Sequence, residues 1–266
     1  MTEKEYRSHP AISRSELWKI SESPLKFKYY KDNPPPPTPS LVFGQILHKL
    51  VLQPESFAEE FDVIPEVDRR TKEGKQKYDE FIGNLGERTA ITPDEFVKAT
   101  EMSQAIMAEP LAKKLLSGGE KEKVFFWNDD LTGEQCKCRV DCINTSFSQP
   151  IIVDIKTTGD ASSEGFMKSA INYGYDFQSA MYTDGVKHNI SQQPIFVFIA
   201  VEKEPPYAVN IFRADEIFMR RGYDLFREYI GIYHDCRMTG NWYGYMGKYE
   251  IINNLSLPLW LAKEYE

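Results

Sequence analysis

The chain has 266 residues, of which 41% are hydrophobic, 13% aromatic and 27% charged, and its formal net charge is −8 at pH 7. This composition excludes collagen, coiled-coil and intrinsically disordered proteins, and four cysteines are too few for a disulfide scaffold. No run reaches the roughly 18 apolar residues of a membrane helix. Residues 1–7 carry no apolar signal segment, so we expect a cytoplasmic protein without membrane association. The negative charge argues against a basic nucleic-acid coat, although a positive cleft or channel stays compatible with it.

The first 120 residues are predicted to be mainly helical. Short helical pieces are expected within 10–31, followed by a proline-rich run at 34–39 that we interpret as a stiff extended connector rather than a docking ligand. The stretch 41–52 is apolar on most faces, which is typical of a buried helix. Helical periodicity and capping residues predict further helices over 71–84, 93–107 and 109–117.

Residues 121–240 are predicted to form a sheet core. Strands are expected at 124–127 and 135–143, joined as a hairpin by turn residues, and a third, more central strand at 151–156. The remaining elements are a helical region at 162–188, strands at 194–201 and 207–212, and a helix at 214–236. This order predicts one α/β domain over 1–266, with a central mixed sheet flanked by helices and a helical N-terminal elaboration.

Two carboxylates are expected on neighbouring central strands. Alternation places Asp141 on one strand face and Asp154 with Lys156 on one face of the next strand, so the three side chains should lie close together. The first face also holds Lys137, Arg139 and Ile143, and the opposite face holds Cys136, Cys138, Val140 and Cys142. Two buried carboxylates repel each other unless they are paired or bind a divalent cation. Salt bridges of Asp141 with Arg139 or Lys137, and of Asp154 with Lys156, are the structural alternatives.

The spacing Asp141…Asp154-x-Lys156 resembles the D…(D/E)-x-K signature of the PD-(D/E)XK nuclease superfamily. Gln178-Ser-Ala-Met-Tyr182 is similar to the Q-x-x-x-Y element of the RecB-like branch, and Gly44…His48 resembles its G-x-x-x-H helix. Outside this context, His48 would be interpreted as a hydrogen-bonded core histidine. Segments 12–17 and 133–141 are similar to the exonuclease domain of the RecE family (exonuclease VIII), and this resemblance covers residues 9–245.

The resemblance implies a site that binds Mg²⁺ or Mn²⁺ and hydrolyses phosphodiesters. The implied metal ligands are His48, Asp141, Asp154 and the backbone carbonyl of Ile155. Lys156 is expected to orient the attacking water, to help deprotonate it and to stabilise negative charge, and opposing effects leave the direction of its pKa shift open. Gln178 and Tyr182 are expected to position the strand or the water, although both also suit a half-buried helix. Glu122, which the predicted elements place just before the first strand, matches a variable acidic position of the family loosely.

A basic segment offers candidate DNA contacts. Residues 69–77 contain five basic residues and one acidic residue, a composition that also suits a solvated helix face. The residues expected to contact DNA are Arg69, Arg70, Lys72, Arg139 and Thr157.

The function of residues 242–245 stays open, because they could stack on bases or cover the sheet. The three cysteines on one strand face favour core packing over an iron–sulfur cluster.

The RecE resemblance implies a 5′-to-3′ exonuclease that digests linear double-stranded DNA from its ends. It further implies a ring-shaped trimer or tetramer and a RecT-like single-strand annealing protein that receives the 3′ strand. Exonuclease rather than endonuclease activity follows from the family and not from the residues. The alternatives are a catalytically inactive DNA-binding or assembly module with the same fold, and a nuclease for single-stranded DNA or RNA.

Overall fold

The computed structural model describes residues 1, 3–247, 252 and 254–263. The N-terminal helices are α1 (Glu3–Ser8), α2 (Arg14–Leu17), α3 (Pro24–Asp32), α4 (Pro39–Leu52), α5 (Phe57–Glu60), α6 (Lys72–Asn84), α7 (Pro93–Ala108) and α8 (Pro110–Leu116). The strands among them are β1 (Ile12–Ser13), β2 (Phe61–Val63) and β3 (Thr89–Ile91). The predicted helices at 71–84, 93–107 and 109–117 are thus confirmed to within one residue at each end. The strands were not predicted because two or three residues are too short to show alternation.

The polyproline connector ends one residue earlier than predicted. Residues 34–38 are exposed and lie outside helices and strands, as expected for an extended spacer. Pro39 instead occupies the first turn of α4. The backbone N–H that proline lacks would have no hydrogen-bond partner within the helix at this position. The Thr38 hydroxyl accepts a hydrogen bond from the Leu41 N–H and caps this helix.

The second part of the chain supplies the main sheet. Its elements are β4 (Glu120–Asn128), β5 (Gln135–Asn144), β6 (Ile151–Thr158), α9 (Ser163–Asn172), α10 (Tyr175–Ile190), β7 (Ile195–Glu202), β8 (Val209–Arg213), α11 (Glu216–Thr239) and α12 (Leu259–Ala262). Strand β5 pairs antiparallel with β4 and β6 and parallel with β1, while β6–β7 is parallel and β7–β8 antiparallel. The predicted mixed sheet in an α/β fold is therefore confirmed. Within the described chain, no helix is both long and apolar enough to cross a membrane.

Helices cover both faces of the sheet. On one face, buried residues of α10 and α11, such as Phe177 and Phe226, pack against Phe198 of β7. On the other face, Leu47 of α4 and Met102 of α7 pack against the alternate residues of β6 and β7. Burying each such side chain contributes about 1.5–3 kcal/mol. These two layers fix α4 and α10 on opposite sides of β6.

The side-chain alternation of β5 breaks at Asp141, and this corrects one prediction. Cys136 and Cys138 share the α10 side of the sheet, whereas Cys142 packs on the α4 side and Ile143, predicted on the face of Asp141, takes its place. Opposite Asp141, Glu122 of β4 has a φ of 50°, in the left-handed region, and the break occurs there in both strands. The expected core packing of Cys136, Cys138 and Cys142 is confirmed, but the three thiols do not share a face.

The helical region predicted at 162–188 is interrupted. Helix α9 ends at Asn172, and α10 begins at Tyr175 after Gly174, which has a φ of 63°. A Cβ atom at Gly174 would lie 2.4 Å from the Trp18 ring, so only glycine fits this turn.

Trp242 belongs to the segment 242–245, for which the sequence left base stacking and sheet covering open. It stacks on Phe27 with ring centroids 5.3 Å apart and therefore contributes to packing.

The turn of the β4–β5 hairpin is tied to α11 by a buried ion pair. Arg227 donates hydrogen bonds to both carboxylate oxygens of Asp129, and the Thr132 hydroxyl donates a third at 2.6 Å. Burial alone raises the pKa of Asp129, but these hydrogen bonds outweigh it and hold the pKa at about 2, below the ordinary 3.8. The ionised pair therefore stabilises the folded state.

This pair predicts a pH-dependent stability difference. Because the pKa of Asp129 is depressed in the folded protein, its contribution is complete above pH 3.8 and is lost as the pH falls towards 2. Asp129→Asn should lower the free energy of unfolding at pH 7 by about 2 kcal/mol in urea titrations, with a smaller difference from wild type at pH 3. Asp32→Asn, in an exposed pair with Lys28, is the control and should cost under about 0.5 kcal/mol. Equal effects of the two substitutions would contradict the analysis.

Candidate functional site

The candidate site lies where β5 and β6 separate. The two strands pair through Cys142–Val153, Ile143–Ile152 and Asn144–Ile151, and beyond Val153 strand β6 continues along β7 without further pairing to β5. The groups that β6 turns towards β5 beyond this point therefore need other partners. Side chains from two separate elements, β5 and α4, provide them.

Asp141 and His48 bind the two backbone groups of Ile155. The Asp141 carboxylate accepts a hydrogen bond from the Ile155 N–H at 2.8 Å, and His48 Nε2 donates to the Ile155 carbonyl at 2.9 Å. His48 Nδ1 faces Asp141 at 3.5 Å. Two predicted metal ligands, together with the predicted carbonyl of Ile155, thus converge on one peptide segment.

Glu122 joins this group from β4. One ligand atom each from His48, Glu122 and Asp141 lies within 4.8 Å of the other two. The sequence placed Glu122 before the strand, but β4 begins at Glu120, so its left-handed backbone lies inside the sheet. A non-glycine residue in this conformation costs roughly 1–2 kcal/mol, and such strained residues cluster at active sites and ligand clamps. Arg139 contacts Glu122 at 2.8 Å, whereas its salt bridge with Asp141 was one of the structural alternatives to a metal site.

Asp154 and Lys156 form an adjacent buried pair. Lys156 Nζ lies 2.6 Å from Asp154 Oδ2, and the Gln178 side-chain amide donates to Asp154 Oδ1. Burial raises the pKa of Asp154 against the opposing attraction of Lys156. Burial alone lowers the pKa of Lys156, but Asp154 and Asp141 outweigh it, so the net shift is upward. Lys156 is therefore held as an ammonium group that donates hydrogen bonds.

Helix α10 brings Gln178 and Tyr182 to the same side of the sheet. They stand one turn apart, so the contact of Gln178 with Asp154 also brings Tyr182 towards the site. Burial raises the pKa of Tyr182 well above its ordinary value, with smaller effects from Tyr6, Cys138 and Asp154. The phenol stays protonated and can act as a hydrogen-bond donor.

The donor set fits a divalent cation. Imidazole nitrogen and carboxylate oxygen are ligands that Mn²⁺ accepts readily, and Mg²⁺ prefers the oxygens. His48, Glu122 and Asp141 supply both atom types within 4.8 Å, and the Ile155 carbonyl oxygen lies beside His48. Asp154 stands outside this triad, with its carboxylate directed to Lys156 and Gln178.

The predicted DNA contacts fall into two groups. Arg69, Arg70 and Lys72 are exposed at and before the start of α6, with the Arg69 guanidinium 4.0 Å from the centroid of the Tyr78 ring. Thr157 and Arg139 instead belong to the sheet, Thr157 two residues after Ile155 and Arg139 bound to Glu122. Arg139 therefore lies beside the candidate site, and Arg69, Arg70 and Lys72 form an exposed basic surface at the start of α6.

Two contributors went unrecognised in the sequence. Arg14 lies within a segment that carries the family resemblance, yet its guanidinium binds the carbonyls of Tyr173 and Gly174 at the start of α10. The helical periodicity of the sequence continues through Tyr173, so the interruption of the helix was not predicted there. Gly174 is the residue that could have indicated it. Tyr175 lies over Lys156, with 4.8 Å between the ammonium nitrogen and the ring centroid.

Comparisons with known proteins agree with this architecture. Residues 13–254 match the family model described as "PDDEXK-like domain of unknown function (DUF3799)". A "Putative exonuclease" from Eubacterium rectale superimposes with a TM-score of 0.67 at 14% identity, covering 98% of this chain and 97% of that one. SSO0001 has a TM-score of 0.34 at 14% identity over 72% and 86% of the two chains, too low to carry an argument. The search of curated proteins found no match. The family model spans most of the sequence, and the chain belongs to the PDDEXK-like DUF3799 family.

Proposed function

We propose that the protein is a metal-dependent exodeoxyribonuclease that digests linear double-stranded DNA in the 5′-to-3′ direction and leaves 3′ single strands. The observation that carries this proposal is the convergence of His48, Asp141 and the Ile155 peptide beside the buried Asp154–Lys156 pair. The family membership and the fold shared with the E. rectale protein support it. The resemblance to RecE supports the direction and the substrate.

The metal would be Mg²⁺ or Mn²⁺. His48, Asp141 and Glu122, whose ligand atoms lie within 4.8 Å of one another, would hold it. The Ile155 carbonyl would bind it in place of the hydrogen bond from His48 Nε2, and Asp154, which is directed to Lys156 and Gln178, is kept as an expected ligand from the family resemblance. When bound, a divalent cation supplies Lewis-acid stabilisation of the phosphate and lowers the pKa of a coordinated water.

The chain's own side chains have separate tasks in this proposal. The Lys156 ammonium orients the attacking water through a hydrogen bond and stabilises the negative charge that develops on the phosphate. Gln178 fixes the rotamer of Asp154 through its amide hydrogen bond, and the protonated Tyr182 donates towards the strand or the water. Burial lowers the pKa of Lys156, but the charges of Asp154 and Asp141 outweigh it, which favours the role of a hydrogen-bond donor over the expected help in deprotonating the water.

The substrate and partners follow from the RecE resemblance. We propose a ring-shaped trimer or tetramer that encloses duplex ends, with positive charge in a channel and an acidic exterior, in keeping with the net charge of −8. The 3′ strand would pass to a RecT-like single-strand annealing protein. Two alternatives are kept: an inactive DNA-binding or assembly module, and a nuclease for single-stranded DNA or RNA.

Metal binding predicts a calorimetric signal that depends on the site. His48→Ala and Asp141→Ala should each weaken Mn²⁺ binding at least roughly tenfold, a loss that even outer-shell substitutions produce at metal sites. His188→Ala, at an α10 histidine bound to the Asp184 carbonyl, is the matched control and should bind Mn²⁺ like wild type. Manganese uptake that is equal in all four proteins would rule out this site.

Nuclease activity is tested with linear and covalently closed duplexes in Mg²⁺ or Mn²⁺. We expect the wild-type protein to release a 5′ label before a 3′ label and to leave the circle intact. Asp154→Ala should reduce the rate at least about 100-fold while DNA ends remain bound. Asp130→Ala, on the exposed hairpin turn, should keep the rate of wild type.

The outcomes separate the alternatives. Cleavage of the closed circle would refute the exonuclease proposal. Preferred hydrolysis of single strands or RNA would support the second alternative. Binding of duplex ends without hydrolysis of any substrate by the wild-type protein would favour the inactive module.

The basic surface before α6 predicts salt-dependent DNA binding. Reversing both charges in Arg69→Glu/Arg70→Glu should weaken duplex binding and reduce the slope of log K against log[salt] by about two, as two phosphate contacts are lost. Lys113→Glu/Lys114→Glu, the same change at exposed positions of α8, is the control. Unchanged affinity and slope after the first double substitution would remove this surface from the DNA-binding site.

A further inference from the structure

A series of stacked aromatic rings runs from the sheet core to the surface beside Lys156. The Phe198 and Tyr175 centroids are 5.8 Å apart at 30°, and the Tyr175 and Tyr173 centroids are 5.9 Å apart at 28°. Phe198 is 2% exposed and Tyr173 is 62% exposed. In the part of the chain that the structure describes, no other ring covers the outer side of Tyr173.

The turn that carries Tyr173 is fixed by its surroundings. Arg14 donates hydrogen bonds to the carbonyls of Tyr173 and Gly174, the latter at 2.8 Å. The guanidinium itself is held against the Trp18 ring, 5.3 Å from its centroid, and the same ring blocks any side chain at position 174. An exposed aromatic side chain on such a turn loses little conformational freedom when it binds a flat partner.

This outer ring lies next to the reacting groups. The Tyr175 ring that supports Tyr173 lies 4.8 Å from Lys156 Nζ, which in turn lies 2.6 Å from Asp154. Asp154 is 1% exposed and the Lys156 side chain 16%, so the phosphate of a strand has to enter the site to reach this pair, which a strand already separated from its complement can do. The bases of that strand are then unstacked and expose their faces.

We propose that Tyr173 stacks on an unpaired base of the strand being cut, next to the phosphate that Lys156 faces. This rests on the proposed nuclease function and deepens it. A base would extend the existing series of rings by one member, and aromatic side chains bind single-stranded nucleic acid in this way without reading its sequence. The site is thereby specific for a strand that has been separated at its end.

A protein partner is the competing occupant of this surface. Met167 and Ile171 are exposed one turn apart on α9, and an apolar patch that includes Tyr173 could also bind a second copy of the chain. The ring geometry and the adjacent Lys156 favour a base, because a flat π-face and a phosphate occur together in a nucleotide.

The test uses a fluorescent base and needs no catalysis. A duplex with 2-aminopurine at the 5′ end, and the same strand alone, are titrated with protein in EDTA, so that cleavage does not occur. Wild type and Tyr173→Phe should quench the fluorescence of the single strand, and Tyr173→Ala should abolish the quenching and weaken binding roughly tenfold. Tyr29→Ala, at a tyrosine 61% exposed on α3, is the matched control and should behave as wild type.

Cleavage assays add a second readout. With metal, Tyr173→Ala should lower kcat/KM for a blunt duplex about tenfold, and a terminal mismatch that frees the 5′ base should not restore it, whereas Tyr173→Phe should. Quenching by Tyr173→Ala equal to wild type would overturn the inference, as would a change in oligomeric state without a change in quenching. If the wild-type protein hydrolyses no nucleic acid while the Tyr173-dependent quenching persists, the nuclease proposal fails and the stacking site stands.

Discussion

The site depends on how the peptide groups of Ile155 are satisfied after β5 leaves β6. A buried N–H or carbonyl without a partner costs about 1–3 kcal/mol, so the separation of two central strands is stable only if something replaces the lost ladder. Asp141 accepts from the N–H and His48 donates to the carbonyl. The same two side chains are the candidate metal ligands, so the interaction that allows the strands to separate also assembles the site.

The two covering layers deliver the remaining groups to this gap. Helix α4 packs on one face through Leu47 and presents the neighbouring His48 to Ile155, while α10 packs on the other face through Phe177 and presents the neighbouring Gln178 to Asp154. In each helix a fully buried residue immediately precedes a site residue. Core packing therefore sets the position of the functional side chains, and changes in either layer are expected to move them.

The sequence predicted the long elements and the identity of the central residues because their signals are local. Alternation and helical periodicity located β5, β6, α4 and α7, and the spacing of Asp141, Asp154 and Lys156 pointed to one site. The predictions from sequence were wrong where contacts between distant elements override the local periodicity. The face of Cys142 changes at the break that β4 and β5 share, where Glu122 adopts a φ of 50°. The break before α10 is held by Trp18 and Arg14, more than 150 residues away.

The pairing of charges explains why a cation suits this arrangement. Two of the three carboxylates that surround the gap already have a cationic partner, Glu122 in Arg139 and Asp154 in Lys156. Asp141 instead faces the His48 imidazole and a backbone N–H, which compensate its charge only partly. A divalent ion at Asp141 would place positive charge beside the carboxylate whose charge is least compensated. The Lys156 ammonium would then not be needed to compensate Asp141. In the proposed function the ion would also have to compensate Asp154, because the buried pair with Lys156 cannot open towards a phosphate while that carboxylate has no other cationic partner.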